Sequence, residues 1–317
     1  MRPKSLFILL AIVTACSDAA DSSVDGGAGS DLGARADAAI PDLGVDRDAG
    51  RSDGGQRSTL LGTTERPTRI IAPPVTSGPA PLIVLLHGYG ASGASQDVYL
   101  GVSRAAAARG AYVLVPDGTV DSSGKQFWNA TPACCDFGAT NVDDVGYLRD
   151  LVHQAMERFE IDPARVYFMG HSNGGFMSYR IACEMSGEVA AIFVLAGSDY
   201  SNASDCVPTA PVSVMHLHGT SDETIGYAGV PGGFPGAEAA VARWAGYASC
   251  DPGLVSSGAA IDIVPSVAGA ETEVFHFEGC TPGFDVQLNR MNGASHIPIF
   301  NSTMMGDVLD WLIAHRR

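Results

Sequence analysis

Arg165-Val166-Tyr167-Phe168-Met169-Gly170-His171-Ser172-Asn173-Gly174-Gly175-Phe176-Met177 is the stretch whose reading decides the fold of this chain. An apolar run with strand character, Val166 to Met169, meets a glycine-flanked serine, and a helical pattern starts at once. The spacing G-x-S-x-G has a mechanical reason. Gly170 and Gly174 remove Cβ atoms where the backbone must bend sharply, so the Ser172 hydroxyl projects clear of the sheet at the apex of a strand-to-helix turn.

Outward from that turn, strands and helices alternate. Strands are expected at 82–86, 111–115, 166–169, 190–195, 212–217 and 274–277. Helical patterns lie at about 95–108, 144–159, 174–185 and 237–248, with a last helix near 302–315. Continuous apolar strands separated by amphipathic helices predict an α/β fold with a mostly parallel central sheet covered on both faces. With 46% hydrophobic residues among 317, the chain can bury a large core. Residues 59–317 are expected to form a single domain.

The first 15 residues have the make-up of an export signal: Arg2 and Lys4, an apolar core from Leu6 to Val13, then small residues. Val13-Thr14-Ala15-Cys16 is similar to the bacterial lipobox, which predicts lipidation at Cys16, a membrane anchor at the N-terminus and an extracytoplasmic location. Residues 16–58 are rich in Asp, Ala, Gly and Ser and hold no aromatic residue, the composition of a disordered tether. A formal charge of −16 argues against a nucleic-acid partner. Six cysteines remain after Cys16: Cys134, Cys135, Cys183, Cys206, Cys250 and Cys280. An even number in an exported chain predicts three disulfides, with connectivity open. No pair has C-x-x-C spacing, so no metal site is expected.

A serine hydroxyl is a weak nucleophile until a base, itself oriented by an acid, takes its proton. Chain order of serine, acid, histidine selects among the eight histidines. His87 and His171 sit at glycine turns, His153 in a helix, His216 and His276 in strands, His315 at the terminus, and His218 precedes the best acid. His296, in the loop before the last helix, is the expected base. Asp222, just beyond strand 212–217, is the expected acid, with Asp199 and Glu223 as alternatives. Asn173 and Tyr89 are expected to supply backbone N–H groups to an oxyanion. No cofactor is called for by this set.

Gly88-Tyr89-Gly90-Ala91-Ser92-Gly93 also satisfies G-x-G-x-x-G after a strand, with Asp117 ending the next strand. That pattern fits a dinucleotide-binding oxidoreductase. An exported chain lies outside nicotinamide pools, the same glycines serve an oxyanion loop, and the serine turn would go unexplained. The other alternative is a non-catalytic surface-binding lipoprotein on the same fold.

The motifs together resemble the polyhydroxybutyrate depolymerase-like and feruloyl esterase-like family of secreted α/β-hydrolases. The resemblance rests on Leu85-Leu86-His87-Gly88, Phe127-Trp128-Asn129-Ala130 ahead of Cys134-Cys135, Val142-Asp143-Asp144-Val145, the run Gly170 to Arg180, Ala182-Cys183-Glu184, His218-Gly219-Thr220-Ser221-Asp222, and Trp244 ahead of Cys250. It implies an α/β-hydrolase fold and a serine esterase with the triad Ser172, Asp222 and His296. It implies an ester substrate, feruloyl or acetyl on plant polysaccharide or short-chain polyhydroxyalkanoate. It also implies a Cys250–Cys280 disulfide, leaving Cys134 and Cys135 to pair with Cys183 and Cys206 in either assignment. One departure stands beside the base: Ile297-Pro298-Ile299 occupies a place where such enzymes often carry an aromatic residue and proline.

Overall fold

The computed structural model describes residues 59–317. The export signal at 1–15, Cys16 and the tether at 16–58 lie outside the described residues. Thr59–Arg317 form one compact unit around a ten-stranded sheet. Its strands are β1 (Leu60–Gly62), β2 (Pro67–Ile71), β3 (Ala80–Leu86), β4 (Tyr112–Leu114), β5 (Ile161–His171), β6 (Ala191–Leu195), β7 (Ser213–Gly219), β8 (Val255–Ser256), β9 (Thr272–His276) and β10 (Val286–Met291). Across the sheet they run β1-β2-β4-β3-β5-β6-β7-β10-β9-β8. The six central strands, β4 to β10 in that order, are parallel, and both edges turn antiparallel.

The alternation along each central strand feeds two cores. Leu82, Val84 and Leu86 of β3 and Val166 and Phe168 of β5 face one side, together with Leu148, Phe176 and Trp244. Ile83, Leu85, Tyr167 and Met169 face the other, with Val102, Val308 and Leu309. Helices α3 (Asp144–Arg158), α4 (Asn173–Glu184) and α5 (Ala237–Tyr247) therefore cover the first face. Helices α1 (Gly93–Leu100), α2 (Val102–Ala107) and α6 (Met304–Ala314) cover the second. A strand buried on both sides reads as a continuous apolar run, which is why the central strands were legible.

Beyond β1, β2 and β8, which lie outside the expected strands, two elements differ from expectation. The helix expected at 95–108 is two helices, because Gly101 takes a left-handed conformation (φ 68°) that ends one and starts the next. Strand β10 was not anticipated: Gln287, Asn289 and Arg290 interrupt its apolar pattern, although Val286 and Leu288 are fully buried. It fills the place between β7 and β9 and leads directly into the His296 loop.

The disulfides are Cys250–Cys280, Cys183–Cys206 and Cys134–Cys135. The expectation that Cys134 and Cys135 pair with Cys183 and Cys206 is thereby corrected. Cys134 is held at the start of α4, where the Asn173 amide donates to its sulfur at 3.5 Å. Cys183 lies ten residues farther along the same helix, about 15 Å away at 1.5 Å per residue. There it meets Cys206 with 5.6 Å between Cα atoms, an ordinary disulfide spacing.

Candidate active site

The turn after β5 has the geometry its glycines imply. Ser172 sits at φ 55°, ψ −119°, a strained conformation for a residue with a side chain. A Cβ on Gly170 would collide with the backbone of Gly174, and one on Gly174 with the carbonyls of Leu86 and His87. Neither glycine can be replaced without moving β3 or α4. Ser172 N–H donates to Leu195 O of β6 at 2.8 Å, which pins the apex to the neighbouring strand.

The chain passes from β7 to Asp222 and from β10 to His296, and these two loops are stitched together. Thr220 N–H donates to Met291 O, Ser221 N–H to Ala294 O, and Gly293 N–H to the Thr220 hydroxyl. A Cβ at Gly219 would strike the carbonyls of Ala294 and Ser295, so the glycine is what permits this approach. As a result His296 Nδ1 lies 2.7 Å from Asp222 Oδ2. A carboxylate can only accept, so Nδ1 carries the proton and Nε2 keeps its lone pair, the tautomer a general base requires.

Asp222 is buried, and its Oδ1 accepts the amides of Thr224 and Ile225, each at 2.8 Å. Burial by itself would raise the carboxyl. The hydrogen bonds and charges of His218 and His296 outweigh it and hold the group well below the usual carboxylate range. Asp199 has a different setting: its carboxylate takes Arg243, Trp244 Nε1 and the Tyr200 amide. Glu223 is exposed. Of the three acids, Asp222 is the one in contact with His296.

His171, inside the turn, is buried, and its Nε2 donates to His296 O at 3.0 Å. Burial first, then the neighbouring His296, lowers its pKa to about 3, so the ring stays neutral and keeps one N–H for that carbonyl. Tyr99 Oη donates to Pro298 O at 2.8 Å, a second tie on the same loop. Sequence reasoning sets His171 aside as a turn residue and does not single out Tyr99; their signal is position alone, an imidazole beside Ser172 and a tyrosine in the helix after the glycine loop.

The side chain of Asn173 is engaged. It accepts from Trp128 N–H at 2.7 Å and donates to Trp128 O at 2.9 Å, locking the 127–135 segment onto the turn. Trp128 Nε1 in turn donates to His87 O. Gly118 N–H donates to His87 Nε2, so Nδ1 carries the proton and donates to Gly88 O, and burial lowers the ring's pKa. Gly88 N–H donates to Gln96 and Gly90 N–H to Gln126 O. Tyr89 lies between them, and its hydroxyl bonds Asp121.

The dinucleotide pattern finds no support in this loop. Asp117, which would face a ribose, accepts Gly93 N–H at 2.8 Å. Among the described residues no cluster of His, Cys, Asp and Glu could hold a metal. A groove of about 880 Å³ between α1, α2 and the 299–307 segment borders the His296 loop through Tyr99 and Ile299 but holds none of Ser172, Asp222 or His296.

No family model matches the chain. It is similar to feruloyl esterase B of Piromyces equi, 29% identical over 229 residues, 68% of this chain and 39% of that protein. It is also similar to feruloyl esterase D of Neurospora crassa, 28% identical over 158 residues, 50% of this chain and 49% of that protein. The chain spans less than half the length of either relative. Among solved structures, an acetyl xylan esterase from Aspergillus awamori shares the fold with TM-score 0.56 and 15% identity, over 80% of this chain and 99% of that one. In fold the chain is an α/β-hydrolase, and in sequence it is similar to feruloyl esterases.

Proposed function

We propose that this chain is a serine carboxylic ester hydrolase, with Ser172 as nucleophile, His296 as general base and Asp222 as the orienting acid. The observation that carries the reading is the 2.7 Å hydrogen bond from His296 Nδ1 to Asp222 Oδ2, in a loop tied to His171, the neighbour of a serine at φ 55° on a strand-to-helix turn. His296 Nε2 takes the Ser172 proton as Oγ attacks the ester carbonyl. The N–H groups of Asn173 and Tyr89 receive the oxyanion. Collapse of the tetrahedral intermediate expels the alcohol, which leaves with the proton from His296. Water then attacks the acyl-enzyme by the same route, returning the carboxylic acid and free serine.

The favoured substrates are feruloyl or acetyl esters of plant polysaccharide, followed by short-chain polyhydroxyalkanoate. The names of the relatives and the exposed Ile297 and Ile299 beside the base support an ester with an apolar or aromatic side. The protein acts outside the cytoplasm, anchored through lipidated Cys16; the three disulfides fit an oxidising compartment. Replacing Ser172 by Ala leaves the fold intact and removes at least about 10³-fold of p-nitrophenyl ester hydrolysis. A purified variant with near-full rate overturns the assignment.

A further inference from the structure

Two imidazoles reach Asp222, and the mechanism above uses one. The second is His218, whose Nε2 lies 3.3 Å from Asp222 Oδ2 and 2.7 Å from Ile225 O. Both neighbours only accept, so Nε2 carries a proton. Behind it, His218 Nδ1 lies 3.0 Å from His216 Nε2, and His216 Nδ1 lies 2.8 Å from the Tyr179 hydroxyl. His216 and His218 alternate onto the same face of β7, under α4, where Tyr179 comes down to meet them. Tyr179 and His216 are fully buried, and His218 is 1% exposed.

In such a line the proton positions are coupled. Burial raises the Tyr179 hydroxyl well above its usual range, so it stays protonated and is a ready donor. Burial, then His218, drives His216 well below the usual imidazole range, so it stays neutral. If Tyr179 donates to His216 Nδ1, the proton of His216 must sit on Nε2 and point at His218 Nδ1. His218 is then a neutral ring whose single N–H is directed to Ile225 O at 2.7 Å, with Asp222 Oδ2 at 3.3 Å as its second, longer partner. Around it lie the edge of Tyr227 and, on the neighbouring strand, Arg290, which is paired with Glu238 and Glu273.

We propose that His218 is a positioning residue for the reaction, and that the buried line Tyr179–His216–His218 fixes its tautomer so that its N–H, held by Ile225 O, also faces the Asp222 oxygen that holds His296. The proposal rests on the serine-hydrolase reading of the site. With two backbone amides on Oδ1, His296 on Oδ2 and the His218 N–H 3.3 Å from the same Oδ2, the carboxylate accepts three hydrogen bonds and a fourth, longer electrostatic contact that together oppose its rotation. A neutral donor on Oδ2 also makes Asp222 a poorer proton acceptor. The proton shared with His296 therefore stays on His296 Nδ1, and the proton from Ser172 is held on Nε2 for the leaving alcohol.

The test combines kinetics with a spectroscopic reading on the full chain. His218→Phe removes the donor and lowers kcat on a p-nitrophenyl ester about 10-fold or more with KM little changed. His218→Gln, whose amide N–H reaches the same position, recovers part of that loss. In the unaltered protein labelled with ¹⁵N-histidine, His216 and His218 both read as neutral rings protonated at Nε2. A folded His218→Phe with unaltered kcat overturns the proposal, as does an imidazolium or an Nδ1–H tautomer at His218. Should His218→Phe fail to fold, the tautomers of the unaltered protein decide alone. Fluorophosphonate labelling separates the two readings. An unaltered protein that neither hydrolyses ester nor labels at Ser172 defeats the serine-hydrolase reading, whereas a labelled one indifferent to His218 defeats only the positioning role.

Discussion

Asp199 and Asp222 follow adjacent parallel strands at the same edge of the sheet, and both are buried. Burial pushes both carboxyls up. At Asp199 it prevails even against Arg243, and the pKa is raised. At Asp222 the imidazole hydrogen bonds prevail, and the pKa is lowered. The partners explain the difference in role. Arg243 also donates to Tyr200 O, and Trp244 anchors α5, so Asp199 ties a helix to a loop. Asp222 contacts rings that can change tautomer or charge, and one of them, His296, packs on His171, the residue before Ser172. A buried acid at the active edge of an α/β sheet is thus sorted by what donates to it, not by its depth.

The comparison breaks most visibly through paired amides. Asp222→Asn keeps the shape but favours the wrong His296 tautomer, and kcat on a p-nitrophenyl ester falls by about 10³- to 10⁴-fold with the melting temperature little changed. Asp199→Asn has the reverse profile: kcat changes little, while leaving Arg243 without its counter-charge destabilises the fold by about 3 kcal/mol, read by denaturant titration. Equal losses of activity in the two variants would remove the distinction.

A smaller effect is expected from Gly219→Ala. The added Cβ meets the Ala294 and Ser295 carbonyls and drives the two loops apart. A shift of about 1 Å between Asp222 and His296 lowers kcat about 10²-fold, with the acyl pocket and hence KM less affected.

The last effect concerns acid stability. His171 has a folded pKa of about 3 against an ordinary 6.5. The unfolded chain takes up a proton that the folded ring refuses, so stability is lost as pH falls from about 6.5 toward 3, by at most about 1.4 kcal/mol per pH unit. His87 and His216 shift in the same direction and add to the slope. Thermal melts between pH 7 and 4 should show a shallower decline in His171→Gln; an unchanged slope would mean that His171 is protonated in the fold.

The fold and the closeness of Asp222 to His296 were legible because each rests on a local signal: apolar runs, glycines flanking Ser172, and chain order along the sheet edge. What was not legible depends on distant partners. Strand β10 hides behind Gln287, Asn289 and Arg290, and only its place between β7 and β9 reveals it. The Cys134–Cys135 pairing depends on how Asn173 grips the 127–135 segment. His216 reads as a strand residue and His218 as one just behind the strand, although two imidazoles on one buried face require polar partners, here Tyr179, Ile225 O and Asp222.

The most direct measurement is intact mass after treatment with a fluorophosphonate, followed by peptide mapping. One adduct on Ser172, lost in Ser172→Ala and strongly slowed in Asp222→Asn, is the result predicted for a serine activated by His296 and Asp222. No adduct, or one at another residue while Ser172→Ala still hydrolyses esters, would contradict the account.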